Sequence, residues 1–333
     1  MKPLALSLGD PAGIGPEIIA CAYAAAKREK LPPFFVVGGA EVLRQAARAR
    51  ELDVGIATIA EPGEADRVFA KALPVLPGLD GPYEPGAPDS HGAGLALASL
   101  TQATDFVLRE IASGLVTAPI AKSELAKVGF AHPGQTEFLA DACGLSADSA
   151  VMMLAGPSLR TVPLTVHCAL AEVPALLSEE LICSKARIVA AALRRDFGIE
   201  SPRLAFAGLN PHASEDGRFG VEEARIIEPA IAALRAEGLD VSGPHPADAM
   251  FTPRARNGYH AALCMYHDQA LIPLKTLEFD EGVNVTLGLP IIRTSPDHGT
   301  AFDIAGKGIA DPGAMIAAIR LAGECAERRK SDA

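Results

Sequence analysis

Three histidines stand where the chain leaves short apolar segments, and together they could bind a divalent metal. His167, His212 and His267 each follow a segment that is typical of a β-strand. Parallel α/β sheets place their binding residues at the carboxyl ends of the strands, and neutral imidazole is the commonest protein ligand for divalent metals. The three residues lie far apart in the sequence and match no local metal-binding motif. On spacing alone, two interpretations stay open: a catalytic metal site with an open position, or three structural or solvated histidines.

A glycine-rich turn between the first predicted strand and the first predicted helix could bind a nucleotide. The segment Gly9–Glu17 contains Gly13 and Gly15. Glycines let the backbone approach a ligand closely, and the N-terminus of the following helix offers unpaired N–H groups to an anion. The segment lacks the G-x-G-x-x-G pattern, and no Walker A sequence occurs in the chain, so neither standard nucleotide site is supported. By itself, the segment fits an ordinary strand-to-helix turn equally well.

A second loop lies near the end of the chain. The segment Thr294–Gly308 resembles the adenine-nucleotide loop of the isocitrate and isopropylmalate dehydrogenases, whose fold also begins with a similar turn, GDGIGPE. The resemblance implies that His298, Gly299 and Asp303 contact the cofactor, with the histidine and the aspartate on its adenosine part. Two such loops in the expected order favour NAD or NADP binding over a glycine-rich surface loop.

Several charged residues could hold or protonate an anionic substrate. Lys275 and Arg293 flank an acidic stretch, where they either form a solvated ion-pair network or hold a carboxylate and a phosphate, for which the arginine fork is suited. Lys122 follows a predicted strand and is a weaker candidate for the catalytic site, since a surface position fits it equally well. Asp248 is a further candidate for acid/base catalysis.

Three further stretches identify a family. The segments 208–213 around His212, 266–270 around His267 and 132–138 resemble signature stretches of the 4-hydroxythreonine-4-phosphate dehydrogenases. The resemblance implies that the three histidines bind a divalent metal (Zn, Mg or Co) shared across a homodimer interface. It places substrate contacts on four residues, namely Thr136, Lys275, Asn284 and Arg293. This chain has Gln135 where the family usually has histidine, and we expect Gln135 to contact substrate although it cannot titrate near neutral pH.

The resemblance implies a reaction. The expected activity is NAD(P)-dependent oxidation of 4-phosphohydroxy-L-threonine to 2-amino-3-oxo-4-phosphooxybutanoate, which decarboxylates to 3-amino-2-oxopropyl phosphate in pyridoxine 5'-phosphate biosynthesis. Gln135 keeps an alternative substrate open, the related threonate or erythronate 4-phosphate. A metal hydrolase or lyase that uses the three histidines to activate water, or a catalytically silent binding module, would be a different class, and the loop at His298 disfavours it.

The elements that position these residues alternate between short apolar strands and amphipathic helices. This alternation predicts an α/β fold with a mostly parallel sheet covered on both faces. The resemblance implies the isocitrate/isopropylmalate dehydrogenase-like form of that class, with two α/β domains and a cleft between them. On the family pattern we expect a cofactor-side domain of residues 1–125 plus 276–333, and a domain of residues 126–275 for substrate, metal and dimerisation.

Composition excludes several other classes. The formal net charge of -11 over 333 residues argues against nucleic acid and anionic membranes as partners, because both require a basic surface. Apolar residues make up 49% and charged residues 21% of the chain, as in an ordinary globular protein. The six cysteines are scattered without a C-x-x-C pair, and neither a signal peptide nor a membrane span is evident. We therefore expect reduced thiols and a cytoplasmic protein.

Overall fold

The computed structural model describes residues 2–331, which form two compact units. Unit 1 comprises residues 2–150 and 289–331, and unit 2 comprises residues 151–288. The division differs from the predicted boundaries at 125/126 and 275/276, which lie too early in the chain. The helix Gln135–Ala142 buries Leu139 and Ala140 in the core of unit 1. The strand Val283–Leu287 pairs with Val151–Ala155 inside unit 2.

Unit 1 is built on a parallel sheet. With all elements numbered along the whole chain, its strands are β1 (Leu4–Ser7), β2 (Phe34–Val37), β3 (Ile56–Thr58), β4 (Leu73–Leu76), β5 (Leu115–Thr117) and β12 (Arg293–Pro296). They lie in the order β3-β4-β2-β1-β5-β12, and every pair is parallel. Strands β1, β2, β4, β5 and β12 are buried along their whole length, as expected where helices cover both faces of a sheet.

The helices of unit 1 surround that sheet. They are α1 (Gly15–Glu29), α2 (Ala40–Ala49), α3 (Ala65–Phe69), α4 (Ser90–Leu108), α5 (Lys122–Lys127), α6 (Gln135–Ala142) and α13 (Gly313–Ser331). The Gly and Pro residues of segment 78–94 predict a long surface loop, but the structure ends that loop at Asp89. Asp89 Oδ1 accepts a hydrogen bond from the Gly92 N–H (2.7 Å), and this N-cap starts α4 at Ser90.

Unit 2 contains a mixed sheet. Its strands are β6 (Val151–Ala155), β7 (Arg160–Pro163), β8 (Arg203–Ala207), β9 (Asp240–His245), β10 (Ala261–Cys264) and β11 (Val283–Leu287). They lie in the order β11-β6-β7-β10-β8-β9. The β11–β6 and β6–β7 pairs are antiparallel, and the β7–β10, β10–β8 and β8–β9 pairs are parallel. The carboxyl ends of β7, β10 and β8 therefore meet at one edge of the sheet.

The helices of unit 2 are α7 (Val173–Leu176), α8 (Glu179–Phe197), α9 (Glu228–Ala236), α10 (Ala247–Met250), α11 (Pro253–Arg256) and α12 (His267–Glu278). A π-helical turn, Glu223–Ile227, precedes α9. The sequence predicts a long helix over residues 179–197, and α8 has those bounds. Ser178 caps its first turn and Gly198 ends it in the left-handed conformation. The α/β class is confirmed. None of the helices within residues 2–331 has both the length and the hydrophobicity of a membrane span.

Candidate active site

The shared edge of β7, β10 and β8 carries the three predicted metal ligands. His167 lies beyond the end of β7, His267 is the first residue of α12 after β10, and His212 lies in a turn after β8. Carboxyl ends of parallel strands are the usual location of binding residues in α/β proteins. Topology therefore brings the three histidine-bearing segments to one side of unit 2, although they lie far apart in the sequence.

His167 and His267 are neighbours at this edge. Their ring centroids are 6.1 Å apart and their planes are tilted by 39°. His267 Nδ1 donates to Asp268 Oδ1 over 2.7 Å, which leaves Nε2 of that ring available as a ligand. Metal-binding histidines commonly have such a carboxylate on the second ring nitrogen, where it fixes tautomer and orientation. Both histidines line a cavity of about 260 Å³, so this pair fits a divalent metal.

His212 is held differently. It is exposed, and its ring centroid lies 6.1 Å from that of Phe219. The backbone there is left-handed, with φ of 55° at His212. Within the described part of this single chain, residues 2–331, no three His, Cys, Asp or Glu side chains converge to hold one metal ion. The structure thus brings two of the three predicted ligands together in one chain and presents the third on the surface of the same unit.

Two buried polar residues that the sequence analysis did not single out connect these segments. Thr165 Oγ1 donates to the Met265 carbonyl (2.8 Å) and so joins the segments that lead to His167 and His267. Gln269 Oε1 accepts from the Met265 N–H (2.6 Å), while Gln269 Nε2 donates to the Gly208 carbonyl (2.8 Å) at the end of β8. Gln269 lies in one of the motifs that indicated the family, and that was the only sequence signal for it.

In unit 1, a buried arginine faces the residue that departs from the family pattern. Arg293 is 4% exposed. Its guanidinium donates from Nη2 to Gln135 Oε1 (2.8 Å) and to Thr117 Oγ1 (2.8 Å). Gln135 Nε2 donates to the Ala118 carbonyl (3.3 Å), which fixes the amide orientation. Burial lowers the pKa of Arg293 to about 10, an effect that the carboxylate of Glu137 partly opposes. A buried cation of this kind favours an anionic partner.

The two predicted cofactor loops also meet in unit 1. The Ile14 N–H donates to the Thr300 carbonyl (2.9 Å). A Cβ atom at Gly13 would lie 2.8 Å from that same carbonyl oxygen, so only glycine permits this approach. Gly15 is equally confined, because its Cβ would lie 2.8 Å from the Leu8 carbonyl oxygen. The first turn and the loop near the other end of the chain are therefore in direct contact.

Within the second loop, the predicted cofactor residues are distributed along its surface. His298 Nδ1 contacts the Gly299 carbonyl over 3.1 Å, whereas its Nε2 is buried without a hydrogen-bond partner. Gly299 and Asp303 are exposed. Ala301 adopts a φ of 45°. An unpartnered ring nitrogen beside exposed backbone is available to a ligand.

The remaining predicted residues take separate positions. In unit 1, Lys122 is exposed at the start of α5 and Thr136 is half-buried in α6. In unit 2, Lys275 Nζ lies 6.0 Å from the centre of the Phe279 ring. Asn284 is half-buried in β11, and its Oδ1 is a buried acceptor without a partner. Asp248 is exposed on α10.

Comparison with known proteins identifies the family. Residues 30–322 match the family model of the pyridoxal phosphate biosynthetic protein PdxA. The 4-hydroxythreonine-4-phosphate dehydrogenase of Erythrobacter litoralis is 66% identical over 328 residues, which is 98% of each chain. The chain belongs to the 4-hydroxythreonine-4-phosphate dehydrogenase family. A crystal structure of that enzyme from Klebsiella pneumoniae is 38% identical, covers 98% of both chains and superposes with a TM-score of 0.86.

Membership of the 4-hydroxythreonine-4-phosphate dehydrogenase family makes the protein an oxidoreductase and confirms the predicted family. The framework also occurs in a solved structure that carries a different name. The terephthalate 1,2-cis-dihydrodiol dehydrogenase of Burkholderia xenovorans is 30% identical, covers 96% of this chain and 97% of its own, and has a TM-score of 0.65.

Proposed function

We propose that this protein oxidises 4-phosphohydroxy-L-threonine with NAD or NADP. The product, 2-amino-3-oxo-4-phosphooxybutanoate, then decarboxylates to 3-amino-2-oxopropyl phosphate for pyridoxine 5'-phosphate biosynthesis. The main support is the relative of 66% identity that covers 98% of both chains. The cytoplasmic location expected from the cysteine pattern stays a prediction.

The substrate is an anion, and the proposal assigns its charge to named residues. Arg293 is a buried guanidinium that donates hydrogen bonds to Thr117 and Gln135. We assign a substrate phosphate or carboxylate to it, since guanidinium binds both with paired hydrogen bonds. Thr136, Lys275 and Asn284 complete the proposed contacts, and the unpartnered Asn284 Oδ1 would accept a substrate N–H or O–H.

His167, His212 and His267 would hold the divalent metal. Such an ion supplies Lewis-acid chemistry, which favours loss of a proton from an alcohol hydroxyl. The protein's own part is orientation. Asp268 fixes the His267 ring through Nδ1, and Thr165 and Gln269 fix the segments that lead to the histidines. Lys122 and Asp248 are our candidates for moving the proton.

The contact between the turn at Gly13 and the loop at Thr300 supports the proposed cofactor site. Gly13, Gly15 and Gly299 would let the backbone approach the cofactor, while His298 and Asp303 would bind its adenosine part. A bound nicotinamide would supply the hydride acceptor, and the residues of the protein would orient the substrate carbinol toward it.

A homodimer is part of the proposal. Unit 2 exposes large apolar side chains close in sequence to the histidines, with Leu170 at 66%, Ile272 at 62% and Phe279 at 71% exposure. Leu170 also lines the cavity that contains His167 and His267. Exposed apolar groups beside a binding cavity are typical of a protein interface. A second copy of the chain on this surface would bring further ligands to the metal site.

Gln135 supports a second candidate substrate, threonate or erythronate 4-phosphate, because it replaces the histidine usual in the family. NADH formation should be followed with 4-phosphohydroxy-L-threonine and with threonate 4-phosphate, each with and without a chelator. Chelator-sensitive turnover of the amino acid is the expected result. Turnover of the rival alone would keep the reaction and change the substrate. Inactivity with both, under NAD and NADP, would refute the dehydrogenase proposal and favour a metal hydrolase.

A further inference from the structure

The turn that carries His212 has an unusual backbone. Five consecutive non-glycine residues, 212–216, adopt φ values between 48° and 68°. The left-handed conformation costs about 1–2 kcal/mol per residue for an L-amino acid. Such a segment persists only where the surroundings hold it in place, and strained segments of this kind concentrate at functional sites. The structure must therefore contain groups that keep this turn from relaxing.

Glu223 is the group best placed to do so. Its side chain is completely buried (0% exposed) in the π-helical turn before α9. Oε1 accepts from the backbone N–H of Asn210 (2.7 Å), and Oε2 accepts from Asn210 Nδ2 (2.9 Å). Asn210 has extended backbone and lies two residues before His212, the first left-handed residue of the turn. A buried carboxylate is costly unless donors converge on it, and here two N–H groups of one residue do.

Close packing connects Glu223 to the turn itself. A Cβ atom at Gly208 would lie 2.9 Å from the Cα of Ala213 and 3.2 Å from Glu223 Oε1. The turn therefore folds back onto the end of β8 directly beside the carboxylate. The Gly208 carbonyl is also the acceptor for Gln269 Nε2 (2.8 Å), which ties this point to the segment of His267. Glu223 thus packs beside Gly208, the residue at which the Gln269 contact to the segment of His267 ends.

We propose that Glu223 is a positioning residue that holds the left-handed turn and thereby pre-organises His212 for metal binding. The proposal rests on the proposed function in taking His212 as a metal ligand. Glu223 acts through Asn210 and touches neither metal nor substrate. Removing a group that holds a metal ligand in position commonly changes metal affinity by about 10–100-fold.

Glu223→Gln tests the proposal, because the amide keeps the size of the side chain and presents an NH2 group to the Asn210 donors. Glu228→Gln is the matched control, because Glu228 is exposed at the start of α9 and its substitution removes the same charge. The full-length protein, freed of metal, is titrated with Co²⁺ and followed by its visible absorption. We expect Co²⁺ affinity to fall about 10–100-fold in Glu223→Gln and to stay within about twofold of wild type in Glu228→Gln.

A double-mutant cycle with His212→Ala separates positioning from a general loss of structure. If Glu223 acts through His212, Glu223→Gln has no further effect on Co²⁺ affinity in the His212→Ala background. NAD binding should be unchanged in Glu223→Gln and in His212→Ala, because the cofactor loops belong to unit 1. If Glu223→Gln does not fold, Asn210→Ala removes the side-chain contacts to Glu223 and Glu222 while the backbone N–H still donates to Glu223. We then expect a smaller loss in the same direction.

The outcomes distinguish this proposal from the proposed function. Wild-type protein that binds Co²⁺, with affinity lowered by His212→Ala but unchanged by Glu223→Gln, overturns the role of Glu223 alone. Additive losses in the double variant overturn it as well. Wild-type protein that binds no Co²⁺ overturns the metal function and, with it, this inference.

Discussion

The contact between Gln135 and Arg293 allows charge and hydrogen bonding to be separated at the proposed anion site. We expect Gln135→Glu to weaken substrate binding, because the new carboxylate would occupy the guanidinium that the substrate needs. Gln135 Oε1 and Arg293 Nη2 lie 2.8 Å apart. At that distance a full charge would attract the guanidinium by about 6 kcal/mol at an effective dielectric constant of about 20.

Desolvation of the buried carboxylate offsets most of that attraction. If about 2 kcal/mol remains for the substrate anion to overcome, KM should rise about 30-fold. Gln135→Leu is the matched variant, because it removes the acceptor but adds no charge. It leaves a buried guanidinium N–H without that partner, so the free energy of unfolding should fall by about 1.5–3 kcal/mol. Its KM should change less than about fivefold, since the cation remains for the substrate.

Initial rates of NADH formation over a range of 4-phosphohydroxy-L-threonine concentrations give KM and kcat for each variant. Denaturant unfolding gives the stability. For the glutamate variant we expect a higher KM with near-normal stability. For the leucine variant we expect a near-normal KM with lower stability. A glutamate variant with the wild-type KM would refute the assignment of a substrate anion to Arg293.

Three further predictions test other parts of the site. Gly13→Ala should raise the KM for the nicotinamide cofactor, because the new Cβ would lie 2.8 Å from the Thr300 carbonyl oxygen. Gly94→Ala is the control, because Gly94 faces open space within α4. It should leave this KM unchanged and stabilise the protein by about 0.5–1 kcal/mol. His267→Ala should abolish turnover and lower metal content with an unchanged circular dichroism spectrum, and normal activity with normal metal content would end the metal proposal. Burial lowers the pKa of His245 below its ordinary value of 6.5, so the unfolded chain binds that proton more tightly and the free energy of unfolding should fall as pH drops below about 6.5. Denaturant titrations between about pH 7.5 and pH 5.5 should show a flatter dependence in His245→Gln, and an unchanged slope would exclude this residue as the cause.

Local sequence signals determined the family, the fold class and several elements of this protein. Helix α8 was predicted with its observed bounds, because its cap at Ser178, its apolar periodicity and its terminal Gly198 all lie within one short stretch. The motif around His267 indicated the family in the same way, because it also lies within one short stretch. Strand β12 (Arg293–Pro296) was not predicted. Its polar residues give no strand pattern, and they are buried because β5 pairs with them and α13 packs against them.

The tertiary structure alone decided which distant residues meet. Gln135 and Arg293 lie far apart in the chain, and nothing in either local pattern indicates that the amide would accept from the guanidinium. No local sequence pattern distinguishes Glu223 from the other glutamates of its segment. Only the tertiary structure shows that its carboxylate is buried and accepts a hydrogen bond from Asn210. Periodicity and capping act over a few residues and can be read locally. Contacts across a sheet depend on strand order, which is a property of the whole chain.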